Sequence, residues 1–138
     1  MPDQPRPFTV LAFDFGLAHI GVAIGQSVTG TARPLTELPA RDGKLRRGAL
    51  QPLLTQWQPD RLVVGLPLNM DGSESELSAR ARAFAERLAR QTQLPVALTD
   101  ERLTTREARM LAADGVSEHA MAARLIGESY LSGDSREL

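Results

Sequence analysis

The sequence predicts an α/β fold, a single mixed sheet of five strands with helices on its faces. Three observations carry this. Val10, Leu11, Ala12 and Phe13 form an apolar run that ends at Asp14, as expected of a strand covered on both faces. Ile20, Val22 and Ile24 then alternate with Gly21, Ala23 and Gly25, a period of two that marks a second strand. Further on, apolar runs of strand length alternate with stretches of helical period, the pattern of right-handed α/β crossovers.

The elements follow in order. Only Gly16 to His19 separate the first two strands, so they pair as a hairpin. Val28-Thr29-Gly30-Thr31 is a turn, and Ala32 to Leu38 reads as a third strand, placed at an edge by Pro34 and Pro39. Arg41-Asp42-Gly43-Lys44 reads as a polar loop. Leu50, Leu53, Leu54 and Trp57 share one helix face, with Pro52 tolerable in the first turn. Leu62-Val63-Val64-Gly65-Leu66 is the best candidate for a central strand. A helix follows with Leu77, Ala81, Phe84, Ala85 and Leu88 on one face, then a fifth strand from Val96 that ends at Asp100-Glu101-Arg102. Thr104 and Glu107 match a capping box for a helix to about Ala113, and Ser117 can cap a last helix to about Leu131. The order is β-β-β-α-β-α-β-α-α, three antiparallel strands and then α/β crossovers.

At 138 residues the chain fits one domain, residues 1–138, with polar tails expected at about 1–7 and 132–138. Met1 to Pro7 is polar and proline-rich, unlike a signal peptide. No stretch approaches the ~20 apolar residues of a membrane span. There is no cysteine, which excludes disulfides, thiol catalysis and zinc–thiolate sites and suits a cytoplasmic location. Aromatic residues are 4%, so Leu, Val and Ala must fill the core. The net charge of −1 argues against a whole-surface nucleic-acid binder, though a local basic rim around an acidic pocket is compatible with it.

The chemistry gathers at one sheet edge. A carboxylate at the end of a buried strand needs a partner or a metal, so Asp14 reads as the anchor of a metal or phosphate site, or as a turn residue capping the strand. With the first, fourth and fifth strands side by side, Asp14, the loop Asn69 to Ser73 and Asp100-Glu101 converge outside the strand ends, where open α/β sheets bind ligands. Oxygen donors from separate strands specify a hard cation such as Mg²⁺ or Mn²⁺. Metal ions so held can clamp the attacking and leaving oxygens of a phosphodiester.

Phe13-Asp14-Phe15-Gly16, Ile20-Gly21-Val22-Ala23, Val64-Gly65-Leu66-Pro67-Leu68-Asn69-Met70-Asp71-Gly72 and Asp100-Glu101-Arg102-Leu103-Thr104-Thr105 stand in this order. In them the chain resembles the YqgF family, also called RuvX, over nearly its whole length after Phe8. The resemblance implies an RNase H-like fold of the RuvC type and a nuclease that processes the 5′ end of precursor 16S rRNA or resolves Holliday junctions. Carried onto this chain, it implies Asp14 as the first metal ligand and Glu101 as the second acidic residue. The third family position is an aspartate opening the last helix, and His119 stands there in this chain. His119, Ala122, Ala123 and Ile126 share one helix face, which turns the imidazole inward. As a third catalytic and metal-binding residue it would favour Mn²⁺ over Mg²⁺. Its alternative role is capping or packing, which would leave a weakened nuclease or an RNA-binding assembly factor.

Arg80, Arg82, Arg102 and Arg106 are candidate phosphate contacts, whereas Arg87 and Arg90 read as a solvated helix face. Asp100 reads as a group that orients Glu101 or a basic neighbour. Asp71 reads as a turn residue, His19 as a hairpin residue and Trp57 as core. The expected partner is precursor rRNA, or else branched DNA, with the protein a monomer or weak homodimer. Cutting both strands of a junction usually requires a two-fold dimer. The Asp-Phe-Gly after the first strand also occurs in sugar-kinase and actin-type ATPases, but those need two such domains, and this chain has room for one.

Overall fold

The computed structural model describes residues 6–101, 117–133 and 135–138. Among the described residues seven strands form one sheet: β1 (Thr9–Asp14), β2 (His19–Gln26), β3 (Thr31–Arg41), β4 (Lys44–Leu45), β5 (Arg61–Pro67), β6 (Val96–Glu101) and β7 (Arg136–Glu137), in the order β4-β3-β2-β1-β5-β6-β7. The helices are α1 (Gln51–Trp57), α2 (Glu76–Thr92) and α3 (Glu118–Leu131). β1 to β4 pair antiparallel in sequence, and β1, β5 and β6 are parallel neighbours. The expected hairpin and crossovers are therefore present, and the expected helix after Thr104 lies outside the described residues.

Two strands exceed the expected five, each for a local reason. Arg41-Asp42-Gly43-Lys44 is a tight hairpin, not a plain loop: Arg41 pairs with Lys44, and Asp42 and Gly43 both take positive φ, 53° and 79°. That is what a two-residue Asp-Gly connection requires. In the polar C-terminal stretch, Arg136 and Glu137 pair with Leu98 and Ala97 of β6, and Arg136 bonds Asp100. β3 runs longer than expected. It absorbs Leu35 as an extra residue, since Pro34 faces Ala23 and Thr36 faces Val22, and such a bulge suits a proline, which has no N–H for the ladder.

Alternation along the central strands sends side chains to two faces. Leu11, Phe13, Leu62, Val64, Val96 and Leu98 pack with Phe84, Ala85 and Leu88 of α2 and with Leu50, Leu53, Leu54 and Trp57 of α1. Val10, Ala12, Val63 and Ala97 pack with Ala123 and Ile126 of α3. Trp57 is thus part of the core, with Arg33 stacked on its ring at 5.0 Å. α2 is held against the end of β5 by a capping box of Ser75 and Ser78 and by the Ser78 hydroxyl, which donates to the Pro67 carbonyl.

α3 comes unusually close to the sheet because the facing residues are small. Gly127 lies over Ala12 and Ala32. A side chain at Gly21 would overlap the His119 carbonyl in the first turn of α3. Ser117, the expected cap, accepts the Ala120 N–H at 2.9 Å and fixes where that turn begins.

The contact at Gly21 generates a prediction. Gly21→Ala should lower unfolding stability in urea by about 1–3 kcal/mol, the range for overpacking. Gly30→Ala, where φ is positive but nothing lies near, should cost about 1 kcal/mol.

Candidate active site

The register places the site. Asp14 ends β1 opposite Gly21 of β2. Phe13 faces Val64, so Gly65 comes next to Asp14, and Gly65 faces Thr99 of β6. Asp14, Gly65, Thr99 and, two residues on, Glu101 all belong to the α3 face. Asp14 is 4% and Glu101 7% exposed. β5 lies between their strands, and the carboxyl of Glu101 reaches back across it. The bridge is possible because Gly65 has no side chain: a Cβ there would come within 2.5 Å of Glu101 Oε2 and would also run into Ile126.

The side chains of Asp14 and Glu101 interact with each other. Burial first, and then the negative charge of Asp14, push Glu101 well above the ordinary carboxylate range. Both causes favour the protonated form of Glu101 over the charged one.

His119 supplies the other contact. Its Nδ1 lies 2.9 Å from Asp14 Oδ2, and the hydrogen bond to Asp14 is the main cause that raises its pKa above the ordinary histidine value. The inward orientation expected from the helix face is observed. Among the described residues no three His, Asp or Glu side chains stand in metal-binding geometry. His119 is turned onto Asp14 instead of standing beside it. His19, expected only as a hairpin residue, has its ring 5.9 Å from that of His119 and its Nδ1 3.3 Å from Glu37. Chain order gave no signal for this pairing, which depends on α3 docking at Gly21.

The remaining candidates are elsewhere. Asp100 points to the face opposite Glu101 and bonds Arg136 at 2.5 Å, so its neighbour is basic and is not Glu101. Arg80 is engaged by Asp42 at 2.5 Å and Arg82 by Glu74 at 2.7 Å, which removes both as free phosphate contacts in this state. Arg102 and Arg106 lie outside the described residues. Asp71 acts as a turn residue: its Oδ1 accepts the Ser73 N–H and hydroxyl.

The model of the RuvX family, described as Holliday junction resolvase, matches residues 8–133. The chain belongs to the RuvX family. A relative from Pectobacterium carotovorum subsp. carotovorum is 59% identical over 101 residues, 73% of each chain. One from Saccharophagus degradans is 48% identical over 130 residues, 88% of this chain and 92% of its own. Both carry the name "Putative pre-16S rRNA nuclease". Among solved structures, T. thermophilus RuvC in complex with a Holliday junction substrate superposes with a TM-score of 0.58 at 15% identity, covering 95% of this chain and 99% of that one. At that identity the likeness is one of fold, and the fold is RNase H-like, as the motifs implied.

Because the folded pKa of Glu101 is raised, the unfolded chain ionises first as pH rises, near the usual carboxylate value. Stability should therefore fall with pH above that value and through the raised one. In chelator at pH 7, Glu101→Gln should melt several degrees higher than wild type, since ~1 kcal/mol moves a domain of this size by a few degrees. At pH 4 the two should melt together.

Proposed function

We propose that the chain is a divalent-metal-dependent endonuclease that cleaves precursor 16S rRNA at the edge holding Asp14 and Glu101. The juxtaposition of these two buried carboxyl groups carries the reading, and the names of the close relatives favour the RNA substrate. The donor set fits a hard divalent cation: both groups are oxygen donors, they are packed against each other, and they repel unless a positive charge or proton intervenes. Asp14 and Glu101 would hold it, and the ion would supply charge neutralisation and Lewis-acid activation at the phosphodiester.

The residues of the chain then have distinct tasks. Asp14 and Glu101 would hold the cation at the carboxyl ends of β1 and β6. Gly65 keeps the space between them clear. His119 fixes the rotamer of Asp14 through Nδ1, which leaves Nε2 as its nitrogen not bonded to Asp14. Hydrolysis forms one P–O bond to a water oxygen and breaks the bridging P–O bond, and the leaving oxygen takes up a proton. No covalent nucleophile is required.

His119 adds a metal preference to this reading. Where the family has a third carboxylate, this chain has a neutral or positive ring against Asp14. The site thus offers less negative charge to Mg²⁺ and a nitrogen that suits Mn²⁺. A second reading, resolution of four-way DNA junctions, is favoured by the family description and by the fold shared with RuvC. In a third, His119 leaves an RNA-binding assembly factor without cleavage.

Two outcomes are expected. Precursor rRNA and a four-way junction, each incubated with Mg²⁺, Mn²⁺ or chelator, should show metal-dependent cleavage of the RNA. Asp14→Asn should lower it at least ~100-fold, the scale of losing a group that stabilises the transition state. Cleavage of the junction alone would transfer the reading to DNA, and RNA binding with no cleavage in any metal would overturn it.

Metal binding can be followed separately from activity. Mn²⁺ should raise the melting temperature of wild type more than Mg²⁺ does, and of Glu101→Gln scarcely at all. His119→Asp should narrow the gap between the metals and improve the Mg²⁺ reaction. Equal responses to both ions, unchanged by that substitution, would remove His119 from the explanation.

A further inference from the structure

The strongest unassigned feature is a cluster of cations on the hairpin of β3 and β4. Arg41, Lys44, Arg46 and Arg47 fall within seven residues and are all exposed, in a chain whose net charge is −1. Lys44, Arg46 and Arg47 line a cleft together with Arg87 of α2, above an apolar floor that includes Leu50 and Phe84. Lys44 and Arg46 also line a second groove, with Arg41. Among the described residues, none of these five cations forms an ion pair with a carboxylate. Like charges so placed repel one another, and helix or strand formation does not require them.

The hairpin is held rigidly against the active-site edge. The Gly43 N–H donates to Leu17 and the Ala40 N–H to Ala18, each at 2.8 Å, and both acceptors belong to the loop that follows Asp14. Phe15 lies directly under Gly43. Arg80 donates to the carbonyl and carboxylate of Asp42, and Arg87 to the carbonyl of Gly43. The arginines of α2 thus clamp the hairpin tip beside its own cations.

We propose that this cleft is a track for the phosphodiester backbone of the nucleic acid, engaged outside the scissile bond. The proposal rests on the nuclease reading for the identity of the polyanion. Arginine forks match phosphate oxygens, and contacts to the backbone position a substrate without reading its sequence. Arg46 and Arg47 are its central contacts, and Arg87, which the helix pattern assigns to a solvated face, is its wall.

The test is binding of the full-length protein in chelator to labelled precursor rRNA and to a four-way DNA junction, between 50 and 200 mM salt. Arg46→Glu/Arg47→Glu should bind at least ~10-fold more weakly, with the slope of log affinity against log salt reduced by about two, one for each phosphate that the variant no longer neutralises. Arg46→Lys/Arg47→Lys should stay within about threefold of wild type, because phosphate contacts need charge more than shape. Arg90→Glu, on α2 but outside the cleft, should do the same. Unchanged melting temperatures show that the variants are folded.

Loss on RNA alone or on the junction alone supports the track and names its substrate. Wild-type affinity and slope in the charge-reversed protein overturn it, as does an equal loss in Arg90→Glu, which would mark a general charge effect. If wild type binds neither nucleic acid, the track and the nuclease reading fail together. Cleavage by wild type with cleft-independent binding overturns the track alone. Cleft-dependent binding with no cleavage in any metal overturns the nuclease reading and leaves the track standing.

Discussion

Two acidic side chains held against each other out of water are the costliest feature of this chain, and much of the architecture serves to hold them there. An isolated buried carboxylate costs several kcal/mol, and a second beside it adds repulsion. The fold accepts this through backbone geometry. β1, β5 and β6 run parallel, so Asp14 and Glu101 arrive at the same edge. Gly65 opens the gap between them, and Gly21 lets α3 descend until His119 reaches Asp14. Each of these would be an ordinary glycine or strand end by itself. Together they determine whether two carboxyl groups face each other or face solvent.

The parts of this arrangement that depend on local pattern are legible in the sequence. Apolar runs mark β1, β5 and β6, and once they are taken as neighbours the convergence of Asp14 with Asp100-Glu101 follows. Strand alternation then separates Glu101, toward α3, from Asp100, toward Arg136. What is not legible is the choice of partner at a distance. Helical periodicity leaves Arg80 and Arg82 free for phosphate, but Asp42 is 38 residues from Arg80 in the chain and is delivered to it only by the hairpin. The short strands β4 and β7 are hard to read for a related reason. Two residues carry no detectable period, although the Asp-Gly pair at the first of them is a turn signal in its own right.

His119 shows how one side chain sets the charge balance of the buried pair. An aspartate there would make a third negative group, and the site would depend more strongly on a cation. The imidazole instead bonds Asp14 directly, while Glu101 lies buried beside the same carboxylate. This agrees with the direction of both perturbations, since Glu101 and His119 are each held more readily protonated than usual. The nearby His19 and Glu37 extend the polar contacts from the buried pair to the surface at β3.

Segregation of charge follows from the same constraint. A guanidinium placed against Asp14 or Glu101 would lower their pKa values and occupy the position a metal ion needs. A protein that grips a polyanion must nevertheless carry cations near its acidic site. The described residues resolve the conflict by distance and by pairing. Arg80, Arg82 and Arg136 are each paired with a carboxylate of their own, and Arg41, Lys44, Arg46 and Arg47, which are not, stand on the β3–β4 hairpin and just after it. That hairpin is anchored to the loop after Asp14 through backbone hydrogen bonds and not through charge. The backbone thus links the two regions while their electrostatics stay separate.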